Sequence, residues 1–325
     1  MEEEEDSDSN TVKTPLFRSQ SLEKFLRFSN IYLKFEGLNP TGTQKDRISL
    51  VHMKLAKKQG YDTITAGTCG NYGASLAYFA HLLGLRAIIY MSKIDYGNRI
   101  DELLSYGAKV VNVNEGYEEV VEDSIADAEK NEWYNANPGP KTSKVNYEAY
   151  ASIAYEIVSE LNCSPTAVGV PVGNGTTLAG IHYGFKSMYE KGLIDHIPRI
   201  VAASSIHGNA IISSFKKGLS HVKPILPNEI KETKVNGPLV TYKPYDGDAA
   251  LKALKESNGF ADYISDHEML LNSKLLRGMV GINVLPASTA PIGALKRFVL
   301  KEKTNSTYVI ILTGKGSFEE SHHLS

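Results

Sequence analysis

The sequence is short of the residues that carry metal, disulfide and membrane chemistry. It has two cysteines, Cys69 and Cys163, far apart and in no CxxC pair. Neither a disulfide framework nor a Cys/His zinc site is indicated, and a reducing cytoplasm is the natural compartment. Lys and Arg (35) nearly cancel Asp and Glu (37), leaving a net charge of −2. No strong single-sign field is available to make nucleic acid or an anionic membrane the main partner. No apolar run approaches the ~18 residues of a membrane span. The start, MEEEEDSDSN, is acidic, the reverse of a basic signal peptide. Residues 1–13 read as a disordered, solvated tail, and the pair His322 and His323 reads as a second solvated end rather than a metal site. No Gly-Lys-Ser/Thr follows a glycine-rich loop, which excludes a Walker phosphate site. Leu178 stands where a dinucleotide fingerprint needs its third glycine.

What is present is an ordinary globular composition, 42% hydrophobic and 22% charged over 325 residues, enough for one large domain or two moderate ones. Short apolar runs at 31–35, 63–66, 85–91, 109–113, 167–172, 200–203, 261–264 and 308–312 read as strands. Helical periodicity predicts helices at 46–59, 74–83, 98–106, 117–131, 147–161, 178–189, 209–217, 248–255, 267–276 and 288–301. A short amphipathic piece covers 22–28. This alternation implies right-handed βαβ units and mostly parallel sheets, an α/β class. Residues 135–144, with two prolines and a glycine, read as a loop and a domain crossing. Residues 219–244, with four prolines, read as irregular.

Four places carry chemistry. In LKFEGLNPTGTQKDR, Lys45 follows a turn and starts a helix, where the positive end of the helix dipole disfavours its charged form. A neutral amine is what a Schiff-base lysine supplies, although a lone lysine after a turn is also compatible with a solvated surface position. The loop 67–73 between a strand and a helix holds three glycines, which bring backbone N–H groups close to a ligand. At a helix start those groups suit a carboxylate, and Asn71 adds a donor; a plain turn capped by Asn71 would read the same. The loop 173–177, Gly-Asn-Gly-Thr-Thr, also precedes a helix and suits a phosphate, or is a turn capped by Thr176. Thr313 ends the last strand before two glycines flanking Lys315, at the sheet edge where ligands sit in parallel folds, or it is simply a β-branched residue ending a strand.

A reactive lysine, a carboxylate loop, a phosphate loop and a sheet-edge hydroxyl are the parts needed to hold pyridoxal phosphate and an amino acid. The stretches KFEGLNPTGTQKDR, AGTCGNYGASLA, PVGNGTTLAGI, LPASTA and ILTGKG resemble the fold-type II pyridoxal-phosphate enzymes in order and wording, and among them most the threonine synthases. The resemblance covers residues 14–316. It implies a tryptophan-synthase-beta-like fold with two domains: 14–40 and 151–325 as a large cofactor-binding domain, and 41–150 as a small mobile substrate domain, in a homodimer. It implies that Lys45 forms the Schiff base and shuttles protons, and that Asn71 hydrogen-bonds the cofactor's ring hydroxyl. Gly173, Asn174, Gly175, Thr176 and Thr177 would hold its phosphate, and Thr313 its pyridine nitrogen. Thr68, Cys69, Gly70, Asn71 and Tyr72 would receive the substrate carboxylate. Asp46 and Arg47 match the family pattern as helix-start and packing residues. Cys69 fills space beside the substrate or, at a helix start, is a reactive thiol.

The implied reaction is conversion of O-phosphohomoserine and water to threonine and phosphate. A hydroxyl at Thr313 cannot offer a protonated pyridine nitrogen the ion pair a carboxylate gives. The cofactor is then a weaker electron sink, which fits elimination or replacement better than transamination. On the substrate side the sequence departs from the family. Gln44 replaces an aromatic, Thr68-Cys69 a pair of small hydroxyls, and Tyr72 a threonine. NPGPKTSKVNYEAY lacks the arginine that serves the substrate phosphate, leaving Lys141 or Lys144 as point-charge substitutes. The alternatives are another fold-type II enzyme, a dehydratase or a cysteine or cysteate synthase, and a non-catalytic sensor of amino acid or cofactor.

Overall fold

The computed structural model describes residues 13–68, 70–92, 99–114, 116–302 and 306–316. Cys69, His322, His323 and all of the expected acidic tail except Lys13 lie outside the described residues. In chain order the elements are β1 (Leu16–Arg18), α1 (Gln20–Leu26), β2 (Ile31–Phe35), α2 (Lys45–Lys58), β3 (Thr63–Gly67) and α3 (Asn71–Leu83). They continue with β4 (Arg86–Ser92), α4 (Ile100–Ser105), β5 (Lys109–Val113), α5 (Tyr117–Asn131), β6 (Tyr134–Asn135) and α6 (Ser143–Leu161). Then follow β7 (Ala167–Pro171), α7 (Thr176–Glu190), β8 (Arg199–Ser205), α8 (Ala210–Lys216), α9 (Gly247–Glu256), β9 (Phe260–Ile264), α10 (Asp266–Val280), α11 (Ala290–Glu302) and β10 (Tyr308–Leu312).

The strands form two sheets. The six-stranded sheet runs β1-β2-β10-β7-β8-β9 and the four-stranded sheet β5-β4-β3-β6. All neighbours are parallel except β1, which lies antiparallel on β2 at the edge. Every residue of β3, β7 and β10 is buried, as strands covered by helices on both faces must be. On one face of the larger sheet Leu22, Leu295 and Phe298 pack on Leu33 and Ile310. On the other, Ile153 and Ile157 of α6 and Ile181 and Phe185 of α7 share a core with Val168 and Ile311 of the larger sheet and with Ile64 and Ile89 of the smaller. Two glycines let α6 and α7 approach closely. A Cβ at Gly180 would stand 2.5 Å from the Tyr150 Cβ, and one at Gly184 2.8 Å from the Ala151 carbonyl oxygen.

The α/β reading with mostly parallel sheets describes this molecule. Two small elements depart from the expectation. β6, at the start of the stretch read as a loop, was not expected, because two residues of edge pairing leave no hydropathy pattern to detect. β1 pairs antiparallel, because a three-residue strand reaches β2 by the short α1 connection without a crossover.

A buried charge cluster ties the two sheets' helices together. Arg47 on α2 is 3% exposed. Its guanidinium holds Glu36 through Nε at 2.6 Å and Nη2 at 2.8 Å, and Glu156 on α6 through Nη1 at 2.6 Å and Nη2 at 2.9 Å. Lys34 on β2, fully buried, donates to Glu156 at 2.5 Å and to the Thr14 carbonyl at 2.6 Å. Thr14 Oγ1 donates to Glu36 at 2.6 Å. Burial pushes the Glu156 carboxyl up, but Arg47 and Lys34 outweigh it and hold it below the usual range. Removing one partner of such a cluster strands a buried charge, so Arg47→Met is expected to cost about 3–5 kcal/mol, read as a lower urea midpoint.

A second buried contact sets a pH dependence. His52 on α2 is fully buried between Tyr134 and Asn146. Its Nε2 faces Asn146 Oδ1 at 2.8 Å and its Nδ1 the Tyr134 hydroxyl at 2.9 Å. An amide oxygen only accepts, so Nε2 carries the proton and Nδ1 accepts from Tyr134. Burial, only partly offset by Asn146, pushes the His52 pKa down to about 4; burial also lowers that of His182 to about 4. A depressed pKa gives stability that is present above the unfolded value, near 6.5, and lost as pH falls towards the folded one. Each histidine therefore removes up to about 1.4 kcal/mol per pH unit between about pH 6.5 and 4. Urea unfolding across that range should show stability falling with pH, and His52→Gln should make the fall shallower.

Candidate active site

Parallel pairing decides which loops meet. β2, β10 and β7 are neighbours running the same way, so the segments leaving their carboxyl ends emerge at one edge. From β2 comes the turn leading to Lys45, from β10 the segment Thr313-Gly314-Lys315, and from β7 the loop 173–177. The first two are laced together. Thr43 bridges Gly314, the Gln44 N–H donates to the Thr313 carbonyl at 2.9 Å, and the Lys315 N–H to the Gly42 carbonyl at 2.8 Å. Thr313 is 8% exposed, and its own N–H donates to Ser288 Oγ at 2.7 Å.

Lys45 is the first residue of α2, and its Nζ lies 5.7 Å from the centroid of the Tyr72 ring. This contact brings the loop leaving β3 of the smaller sheet to the same place. Asp46 binds both sides as well, accepting from the Thr41 N–H at 2.7 Å and hydroxyl at 2.5 Å, and from the Ser75 hydroxyl of α3 at 2.6 Å. Burial raises its pKa, and those hydrogen bonds partly offset the rise. Asp46 and Arg47 thus hold the helix that presents Lys45.

In the loop 67–73 backbone packs on backbone: a Cβ at Gly67 would stand 2.8 Å from Val120 of α5. Thr68 Oγ1 accepts from the Gly70 N–H at 3.3 Å and the Gly73 N–H at 3.2 Å, so two of the loop's donors turn towards it. Gly70 takes φ +130°, a backbone angle that glycine tolerates. Asn71 opens α3, and its Oδ1 accepts from Arg99 Nη1 at 2.9 Å. Tyr72 is buried, with its hydroxyl donating to the Ala136 carbonyl at 2.6 Å. Cys69 lies outside the described residues.

The loop 173–177 is framed from beneath. Asn209, fully buried, donates to the Val172, Gly173 and Leu239 carbonyls at 2.9–3.2 Å. Gly173 has no room for a side chain, since a Cβ would stand 2.4 Å from the Pro238 carbonyl oxygen. Gly175, at φ +91°, immediately precedes α7. The Thr176 hydroxyl donates to Asp246 at 2.5 Å. The same carboxylate receives Ser143 Oγ at 2.6 Å and the Tyr147 hydroxyl at 2.5 Å. Thr176 has one hydroxyl proton and Asp246 takes it, so Thr176 can serve an anion only through its backbone N–H. Asn174 faces away too, its Oδ1 accepting from Thr241 and the Tyr245 N–H, each at 3.4 Å.

Next to this loop the Tyr150 hydroxyl is fully buried and, among the described residues, completes no hydrogen bond, although it lies within reach of the Thr177 side chain. A buried hydroxyl without a partner is costly. A phosphate oxygen at the start of α7 would supply an acceptor to Tyr150, to Thr177 and to the loop N–H groups. The residues present therefore fit a phosphate-bearing cofactor, with a lysine amine at the same sheet edge. Among the described residues no group of three or more His, Cys, Asp or Glu could hold a metal ion, and no helix is long and apolar enough to cross a membrane.

Lys141 and Lys144 are not drawn in. Their side chains are 86% and 85% exposed, and each pairs with a surface carboxylate, Glu129 at 3.6 Å and Glu148 at 3.9 Å. They stand on the approach to α6 and on its outer first turn, where long charged side chains stay hydrated. Sequence reasoning missed Arg99, Tyr150, Asn209, Asp246 and Ser288. Only Ser288 had a signal, its place in LPASTA. The others reach the site through contacts distant in sequence.

Residues 9–314 match the family described as pyridoxal-phosphate dependent enzyme. The chain is 32% identical over 309 residues to threonine synthase from Methanocaldococcus jannaschii, covering 93% of this chain and 74% of that protein. It is 29% identical over 311 residues to threonine synthase from Halalkalibacterium halodurans, covering 93% and 82%. Among solved structures, maize serine racemase superposes with a TM-score of 0.79 at 17% identity, covering 94% of this chain and 89% of that one. Threonine deaminase isoform 2 from Solanum lycopersicum gives 0.77 at 18% identity, covering 96% and 86%. At that identity the two structures speak for the fold alone. The profile match over nearly the whole chain, on a site with a helix-start lysine and a fitting phosphate cradle, makes this chain a member of the fold-type II pyridoxal-phosphate dependent enzyme family, with pyridoxal 5′-phosphate as its cofactor.

Proposed function

We propose that the chain converts O-phosphohomoserine and water to threonine and phosphate. The observation that carries this is the threonine synthase relatedness over 93% of the chain, joined to a site with Lys45 and Thr313 on one sheet edge. Bound through its aldehyde to a lysine amine, pyridoxal phosphate supplies an electron sink that weakens bonds at the α-carbon of an amino acid. Lys45 is the residue for that bond, and its amine moves protons to and from the substrate's α-carbon. Backbone N–H groups of 173–177, with the Thr177 and Tyr150 hydroxyls, hold the phosphate. Asn71 donates to the ring oxygen, and the start of α3 receives the substrate carboxylate. Residues 41–150 are the part that moves against the rest.

Thr313 faces the pyridine nitrogen in this reading. A neutral hydroxyl leaves that nitrogen without an ion pair, which keeps the sink weak and favours elimination and replacement over transamination. A second reading, loss of a leaving group other than phosphate from a hydroxy- or O-activated amino acid, is favoured by one observation. The lysines nearest the family's substrate-phosphate position, Lys141 and Lys144, are both exposed and paired with carboxylates.

Purified protein loaded with pyridoxal phosphate should release threonine and inorganic phosphate from O-phosphohomoserine. Lys45→Ala should lower that rate on the order of a thousandfold or more. Release of 2-oxobutyrate, or of no product with the cofactor bound, rejects the threonine synthase assignment. Thr313→Asp, which places a carboxylate at the pyridine nitrogen, should lower kcat by about tenfold or more. Steady-state kinetics showing an undiminished rate would remove the argument from Thr313.

A further inference from the structure

Arg99 is the residue that the family resemblance left without a role and that the fold brings to the site. It precedes α4 with φ +62°, a conformation that a non-glycine residue keeps only where its surroundings hold it. Its side chain is 19% exposed. Nε donates to Glu102 Oε2 at 2.8 Å, and Nη2 to Glu102 Oε1 at 2.6 Å and to the Thr41 carbonyl at 2.7 Å. Nη1 donates to Asn71 Oδ1 at 2.9 Å. Four of its five N–H groups are thus committed, and Glu102 balances its charge. This is the bonding of a brace rather than of an open anion receptor.

The brace has a chemical consequence at Asn71. A guanidinium has donors and no acceptor, so the end of the Asn71 amide that faces Arg99 must be its oxygen. The other end, the NH₂ with its two donors, is then the end turned away from Arg99. We infer that Arg99 is a positioning residue that locks Asn71 as a hydrogen-bond donor towards the cofactor and ties that orientation to the Thr41 turn ahead of Lys45. The inference rests on the proposal that Asn71 meets the cofactor's ring oxygen. A donor there favours the ionised oxygen, and a flipped amide presenting its carbonyl would favour the protonated one. Arg99 therefore sets the proton balance between the ring oxygen and the nitrogen joined to Lys45.

The test reads the absorption spectrum of the loaded protein, whose two cofactor bands report which of those atoms holds the proton. Borohydride reduction and mass analysis first verify attachment to Lys45 in each variant. Arg99→Met should shift the band ratio towards the oxygen-protonated form by at least about threefold, in the same direction as Asn71→Ala. The double variant should shift no further than Asn71→Ala alone. Arg99→Lys, which keeps the charge but loses the fork, should lie between wild type and Arg99→Met and guards against a folding defect in the latter. An unmoved ratio in Arg99→Met beside a shifted Asn71→Ala overturns the inference and leaves Asn71 on the cofactor. An unmoved ratio in both also overturns it, by removing Asn71 from the ring oxygen. A raised KM for O-phosphohomoserine with an unmoved ratio makes Arg99 a substrate contact and overturns the positioning role.

Discussion

The Arg47 clamp is the interaction on which the rest of the arrangement depends. Arg47 stands two residues after Lys45, and its guanidinium grips Glu36 just after β2 and Glu156 on α6. The helix that presents Lys45 is thereby fixed to the larger sheet and to the longest helix at once. A buried cluster of this kind contributes little net stability, because desolvation offsets much of the attraction. What it supplies is geometry. α2 cannot rotate or slide without stranding a charge, so the lysine at its first residue keeps its place at the sheet edge.

The same logic recurs around the site. Asp46 joins the Thr41 turn to α3, Arg99 joins that turn to Asn71, and Asp246 joins the 173–177 loop to α6. Each is a charged or polar side chain with its hydrogen-bonding capacity spent on neighbouring loops. Loops that must lie close to a ligand have few apolar contacts to hold them, so hydrogen bonds to charged groups take over that task. The Tyr150 hydroxyl is the exception, a buried group next to the phosphate loop that completes no hydrogen bond among the described residues.

Much of this was legible in advance. Ile31–Phe35, Lys109–Val113, Tyr117–Asn131 and Tyr308–Leu312 carry the expected bounds, because strong local patterns of β-branched or periodic apolar residues lie between clear breakers. α3 begins at Asn71 and α6 at Ser143, each earlier than periodicity suggested. The residues gained at these starts include Asn71 and Gly73 on α3 and Ser143, Lys144 and Asn146 on α6, polar or small side chains that hydropathy does not mark. The two-residue β6 left no signal at all.

By itself, the sequence determined that strands and helices alternate, that glycine-rich turns follow β3 and β7, and that a lysine opens a helix after a turn. These are local properties, set by residue periodicity and by glycine's freedom within a few positions. Only the tertiary structure decided that β2, β10 and β7 are neighbours and so place Lys45, Thr313 and the 173–177 loop on one edge. Only it decided that the Thr176 hydroxyl donates its hydrogen bond to Asp246, that Arg99 reaches Asn71, and that Lys141 and Lys144 stay in solvent. The physical reason is separation along the chain. Partners that lie 28 positions apart in the case of Arg99 and Asn71, and 70 in that of Thr176 and Asp246, are chosen by strand order and helix packing, which no local pattern encodes.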